Sequence, residues 1–173
     1  MPSPIDGLLI LGFGGPTPGC CGRRPGCPRS GDGFEAECFV SGILGDNPAR
    51  AARVAEIAGH YRHFGGYSPY NALTRQQADA LAAELARRGR PLPVVCGYRH
   101  WAPWAVDGVR ELQARGCRSL GLLVMAPHQS SVSWCQPRTT GKSGWSAGLG
   151  LSLVGMAPRV HALGRSCPSA SDG

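Results

Sequence analysis

The sequence predicts an α/β fold: three layers, with a parallel sheet between flanking helices. Three short apolar runs, 7–13, 92–98 and 119–127, end in Gly, Pro or a polar turn, as buried strands do. The stretches between them carry helical spacing and helix caps. Strands alternating with helices imply βαβ units, and βαβ units imply parallel strands. A chain of 173 residues suits one domain with its own core.

"GLLILGF" (7–13) is the first strand and closes in "GFGGP". Residues 16–38 are rich in Gly, Pro, Cys and Arg, lack a period, and read as a loop or insertion. Asn47 caps the first helix, with Pro48 at its first position. Val54, Ile57, Ala58 and Tyr61 then fall on one helical face. Thr74 opens a second helix, with Gln77 completing a capping box, Leu81 and Leu85 inward and Gly89 as the stop. "LPVVCGY" (92–98) is the second strand. Pro103 opens a third helix with Ala105, Val109 and Leu112 on one face, ending at Gly116. "SLGLLVMAP" (119–127) is the third strand. The domain is expected over 1–136. Residues 137–173 are Gly/Ser-rich and aperiodic and are expected to be a disordered tail.

Composition narrows the function. There are 18 basic and 11 acidic residues, a net charge of +7, and every basic residue but one is arginine. Such a surface attracts phosphate or carboxylate ligands. No Arg/Lys run is interleaved with aromatics, so no nucleic-acid partner is expected. No apolar run reaches membrane-span length. The first apolar run has no basic region before it, which argues against a signal peptide and for a cytoplasmic chain. Eight cysteines are many for such a chain. Cys20, Cys21, Cys27 and Cys38 form a candidate metal cluster, since thiolates suit zinc or an iron–sulfur cluster. Their spacing holds no CxxC pair, and free thiols are the stronger reading.

Two phosphate motifs fail. "GFGGP" lacks the third glycine opening a helix, and "GKS" (141–143) has Gln136 where a phosphate loop needs glycine. In open α/β sheets ligands sit beyond the carboxyl ends of the strands. Those ends are Phe13-Gly14-Gly15, Tyr98-Arg99-His100 and Pro127-His128. "HYRHFGGYSPYNALT" (60–74) is far richer in aromatic and imidazole groups than a connector needs. His60 and His63 read as cations at a helix C-terminus rather than a metal pair.

In order and spacing, "LLILGFGGP", "GDNPARAARVAEIAGHYRHFGGYSPYNALTRQQADAL", "VVCGYRHWAPWAVDGVRELQARG" and "LLVMAPHQSSVSW" resemble the N-terminal half of the ferrochelatase family. The "APHxSxxS" form is similar to the bacterial coproporphyrin branch. The resemblance covers most of 5–135 apart from 16–38. It implies one lobe of a two-lobed chelatase, with the porphyrin in the cleft between lobes. It implies insertion of Fe²⁺, as substrate, into coproporphyrin III or protoporphyrin IX, with no required cofactor. By the same resemblance Phe13 stands on the metal side, often Tyr in the family. His60 and Tyr61 match a propionate-binding pair, Ser68 a propionate-binding serine, and Arg99 and His100 pocket residues. Tyr67, Tyr70 and Trp101 are candidates for an aromatic wall, with core packing as the competing reading.

The family's metallating residues, a histidine in a Ser-Ala-His-Ser-Leu-Pro-like motif and a downstream glutamate, have no match. His128 belongs to a different motif, His161 has no matching neighbours, and no acid lies between Glu111 and Asp172. No catalytic residue is therefore expected here, and the resemblance implies a truncated chain. Residues past about 136 read as a frameshifted continuation, which the three-frame nucleotide sequence tests. A non-enzymatic porphyrin- or metal-binding module, or a non-functional fragment, is the alternative.

Overall fold

The computed structural model describes residues 5–19, 21, 33–45 and 47–126, and the backbone of 152–156. Four parallel strands form one sheet: β1 (Gly7–Gly12), β2 (Val94–Tyr98), β3 (Ser119–Val124) and β4 (Ser152–Met156), in the order β2-β1-β3-β4. Between β1 and β2 run α1 (Glu35–Leu44), a 3-10 turn (Pro48–Arg50), α2 (Ala51–His63) and α3 (Tyr70–Arg87). α4 (Ala105–Ala114) joins β2 to β3. The expected α/β class, parallel sheet and flanking helices are all present.

β1 is buried along its whole length, as a central parallel strand must be. Leu9 and Leu11 pack with Val109 and Leu112 of α4. Ile10 points the other way and packs with Ala78 of α3. The two-residue period of a strand thus divides one apolar run between two helix layers. Asp6 pins the register. Its carboxylate accepts from the backbone N–H of Arg118 and of Ser119, both at 2.8 Å, and its own N–H donates to Ser119 O at 2.9 Å. A third cluster, Cys21, Phe39, Val40 and Trp101, packs against Val54, Ile57 and Tyr61 of α2.

Three expectations need correction. Within 16–38 a loop was expected, yet helix α1 starts at Glu35. Ala36, Phe39 and Val40 fall at helical spacing and are buried, and Glu35 and Glu37 suit a first turn. Helix α3 starts at Tyr70 rather than Thr74. Ser68 Oγ accepts from Tyr70 N at 3.2 Å and Pro69 begins the turn, a Ser-Pro start that satisfies an orphan helix donor. Thr74 instead donates its hydroxyl back to Tyr70 O at 2.8 Å. Within 137–173, Ser152–Met156 pairs in parallel with β3, Leu120 opposite Leu153. The free edge of β3 supplies hydrogen-bonding groups that a propensity reading of the segment leaves out.

Asn47 accepts from Ala49 N at 2.9 Å, but the turn it caps is the 3-10 segment leading into α2. No helix among the described residues is long and apolar enough to cross a membrane.

Candidate functional site

The strand order decides where a ligand can sit. Leaving β1 the chain moves to β2, and from β2 it crosses to β3 on the other side of β1. This reversal puts the topological switch point between β1 and β3, and in such sheets ligands sit beyond the strand carboxyl ends there.

At that end the chain forms the Gly14-Gly15 turn. Gly14 has φ +87°, and a Cβ there would lie 2.9 Å from Tyr98 Cβ, so glycine is required by conformation as well as space. Gly15 is held by Asn71, which accepts from its N–H at 2.9 Å and donates to its carbonyl at 3.2 Å. Phe13 N donates to Tyr70 Oη at 3.2 Å, and Ser68 N donates to Pro16 O at 2.9 Å. The start of α3 therefore holds the β1 turn from below. Sequence reasoning overlooked Asn71, although a fully buried asparagine one residue into a helix is itself a sign of such a duty.

Phe13 is 46% exposed and lies tilted against His100, ring centroids 4.5 Å apart. Backbone bonds from Arg99 N to Gly12 O (3.1 Å) and from His100 N to Phe13 O (3.0 Å) continue the β1–β2 pairing past the strand ends. Phe39 of α1 meets Phe13 at 6.1 Å and Tyr61 at 5.7 Å, both edge-on. Phe13 thus touches His100 directly and is linked to Tyr61 through the Phe39 ring, and the Arg99 backbone is tied to the end of β1. Burial raises the Tyr61 phenol pKa, which keeps it a neutral donor, and lowers that of the Arg99 guanidinium. Arginine starts high enough to remain charged near neutral pH.

His60 and Tyr61 also line a cleft of about 280 Å³ together with Phe64, Tyr67 and Pro69. Ser68 sits at its edge in sequence, but its hydroxyl already caps α3. Of the three wall aromatics, Tyr67 is exposed in this cleft, whereas Trp101 is 1% exposed and Tyr70 packs beneath the sheet end. Core packing therefore wins for Trp101 and Tyr70. Gly65 and Gly66 have φ +87° and +82° with open space around them. Their role is to end α2, where Gly66 N donates to Tyr61 O at 2.7 Å.

Of the four early cysteines, Cys20 and Cys27 lie outside the described residues, as does His128. Cys21 is buried and Cys38 half-buried, both in the aromatic cluster of α1. Among the described residues no three His, Cys, Asp or Glu side chains are placed to hold a metal ion.

The sheet order, with helices on both faces, defines a doubly wound α/β lobe. The sequence matches the Ferrochelatase family over residues 38–142, a span that includes His60, Tyr61, Ser68, Arg99 and His100. The chain belongs to the ferrochelatase family. It is similar to the ferrochelatase of Deinococcus radiodurans, with 35% identity over 127 residues, 73% of this chain and 36% of that protein. Coproporphyrin III ferrochelatase of Leifsonia xyli is 37% identical over 135 residues, covering 78% of this chain and 31% of the relative. That of Mycolicibacterium smegmatis is 37% identical over 114 residues, 66% and 29%. The chain spans about a third of the length of these relatives.

Proposed function

We propose that this lobe supplies one wall of a porphyrin cleft in a cytoplasmic chelatase of haem biosynthesis, whose reaction inserts Fe²⁺ into the macrocycle. The observation that supports this reading is the linkage of Phe13 to His100 directly and to Tyr61 through Phe39, with Arg99 tied by its backbone to the end of β1, in a chain whose relatives are ferrochelatases. The exposed face of Phe13 offers an apolar seat for a flat ring. The Tyr61 hydroxyl and the Arg99 guanidinium are a neutral and a charged donor for propionate carboxylates. His60, exposed at the cleft, offers an imidazole N–H as a further donor. The names of two relatives favour coproporphyrin III as the porphyrin.

Phe13 has no oxygen to offer a metal, and the sequence holds no match to the family's metallating histidine and glutamate. In this reading the residues present here act as a binding wall, and metallation falls to groups they do not supply. The family match runs to residue 142, and Ser152–Met156 joins the same sheet as β4, so the lobe extends past residue 136.

Titrating coproporphyrin III into the purified chain, followed by the Soret band, tests binding. Saturable binding without iron insertion under anaerobic Fe²⁺ is the expected result. Insertion at the rate of a full-length ferrochelatase would overturn the inactive-wall reading. Metal content without porphyrin binding would instead favour a cysteine-metal module.

A further inference from the structure

Phe39 lies on α1, the helix that the loop reading of 16–38 hides, and it is 2% exposed. Its ring meets three others edge-on: Phe13 at 6.1 Å and 77°, Tyr61 at 5.7 Å and 73°, and Trp101 at 6.1 Å and 66°. These rings come from three different places: the β1 turn, α2 and the loop after β2. Edge-to-face pairs depend on orientation and add about 0.5–1.5 kcal/mol beyond burial. Among the described ring contacts, Phe39 is the ring that joins Tyr61 to the Phe13–His100 pair.

The seat of Phe39 is itself braced. Glu37, two residues earlier, pairs with Arg62 next to Tyr61. Glu35 is 6% exposed and accepts from Gly19 N at 3.3 Å. Trp101 Nε1 donates to Thr17 Oγ1 at 2.8 Å, and Trp104 Nε1 to Cys21 O at 3.1 Å. Residues 17–19, Cys21, helix α1 and the two indoles are thus tied together around the Phe39 ring.

We propose that Phe39 is a positioning residue. It sets the angle and spacing between the Phe13 ring and the Tyr61 phenol, and so the tilt of the flat macrocycle resting between them. It acts through these two residues and does not touch the ligand. The inference rests on the porphyrin-binding reading above.

The test compares wild type with Phe39→Leu and Phe39→Met, which keep the site filled but lose the ring. The control is Leu112→Ala on α4, a fully buried residue of the separate core cluster on that face of the sheet. Coproporphyrin III affinity in the Phe39 variants should fall about tenfold, because the Phe13 ring and the Tyr61 phenol are no longer held in their binding orientation before the ligand arrives. The Soret maximum of the bound porphyrin should also move. Leu112→Ala should lower the Tm at least as much, yet leave affinity and Soret position unchanged. Wild-type affinity and Soret position in both folded Phe39 variants would overturn the inference alone. So would an equal loss of affinity in Leu112→Ala. Absence of binding by wild type would instead overturn the porphyrin reading, and with it a positioning role toward that ligand.

Discussion

Asn71 holds Gly15 by both of its backbone polar groups, accepting from the N–H at 2.9 Å and donating to the carbonyl at 3.2 Å. The pair spans 56 residues and joins the first turn of α3 to the end of β1. Asn71 is 1% exposed, so no water replaces its amide when it is lost. Asn71→Leu leaves two buried backbone groups without partners. Each such loss costs about 1–3 kcal/mol, and a drop of about 2–4 kcal/mol in urea unfolding is expected. Asn71→Asp sets a buried carboxylate against the Gly15 carbonyl, so its loss at neutral pH should be at least as large. A Leu variant as stable as wild type would show that the pair contributes nothing.

Gly15 is set by space. A Cβ there would stand 2.6 Å from Ser68 Cβ and 2.8 Å from Ser68 Oγ. Ser68 cannot retreat, because its N–H is bonded to Pro16 O and its hydroxyl caps α3. Gly15→Ala should destabilise by about 1–3 kcal/mol through overpacking and should also weaken any ligand held at Phe13. Gly59 lies inside α2 with only the flexible end of Arg62 near its Cβ position, at 3.8 Å. Gly59→Ala should stabilise by roughly 0.5–1 kcal/mol, because alanine is the better helix former. Thermal unfolding of the two variants side by side checks the opposite signs.

The sheet was legible because its information is local. "GLLILG", "VVCGY" and "SLGLLV" are apolar, bounded by turn residues and separated by helical periods, and each became a strand. α2 was legible for the same reason. Helix α1 was not, because Ala36, Phe39 and Val40 stand beside a Gly- and Cys-rich stretch that masks a short period. The start of α3 was misread by choosing Thr74 over the Ser68-Pro69 pair, which carried the stronger signal. At the site, Phe13, Arg99 and His100 could be placed from strand ends alone. The contact of Tyr61 with them runs through Phe39, and the hold on Gly15 runs through Asn71. Both are tertiary relationships across more than twenty residues, and no spacing rule contains them.

Tyr98 makes the fold sensitive to high pH. Its side chain is fully buried, its hydroxyl donates to Asn71 O at 2.9 Å, and burial, aided by Cys96, pushes the phenol up to about 12. In the unfolded chain it titrates near 10. The folded state therefore holds the proton more tightly. Its contribution is complete below about pH 10 and is lost as pH rises through about 12, because the unfolded chain ionises first. Stability should fall across this window by about 2–3 kcal/mol. Tyr98→Phe should start lower, having lost the hydrogen bond, but decline less steeply. Urea midpoints at pH 9, 10, 11 and 12 give the comparison. Parallel curves for the two proteins would remove Tyr98 as the cause.

Cys96 and Cys117 are the reverse of reactive thiols. Cys96 is buried, its Sγ donates to Thr74 O at 3.6 Å, and burial pushes its thiol pKa up. Cys117 donates to Asp6 O at 3.4 Å, and burial, with the Asp6 carboxylate nearby, pushes it in the same direction. Thiolate is the reacting form, so both raised pKa and burial slow alkylation. At pH 8 iodoacetamide should modify these two at least about tenfold more slowly in the folded chain than in urea. Peptide mass spectrometry at timed intervals measures each site separately. Modification of Cys117 at its unfolded rate, with Cys96 protected, would mean that the Asp6–Ser119 end of the sheet opens while the β1–β2 core stays closed.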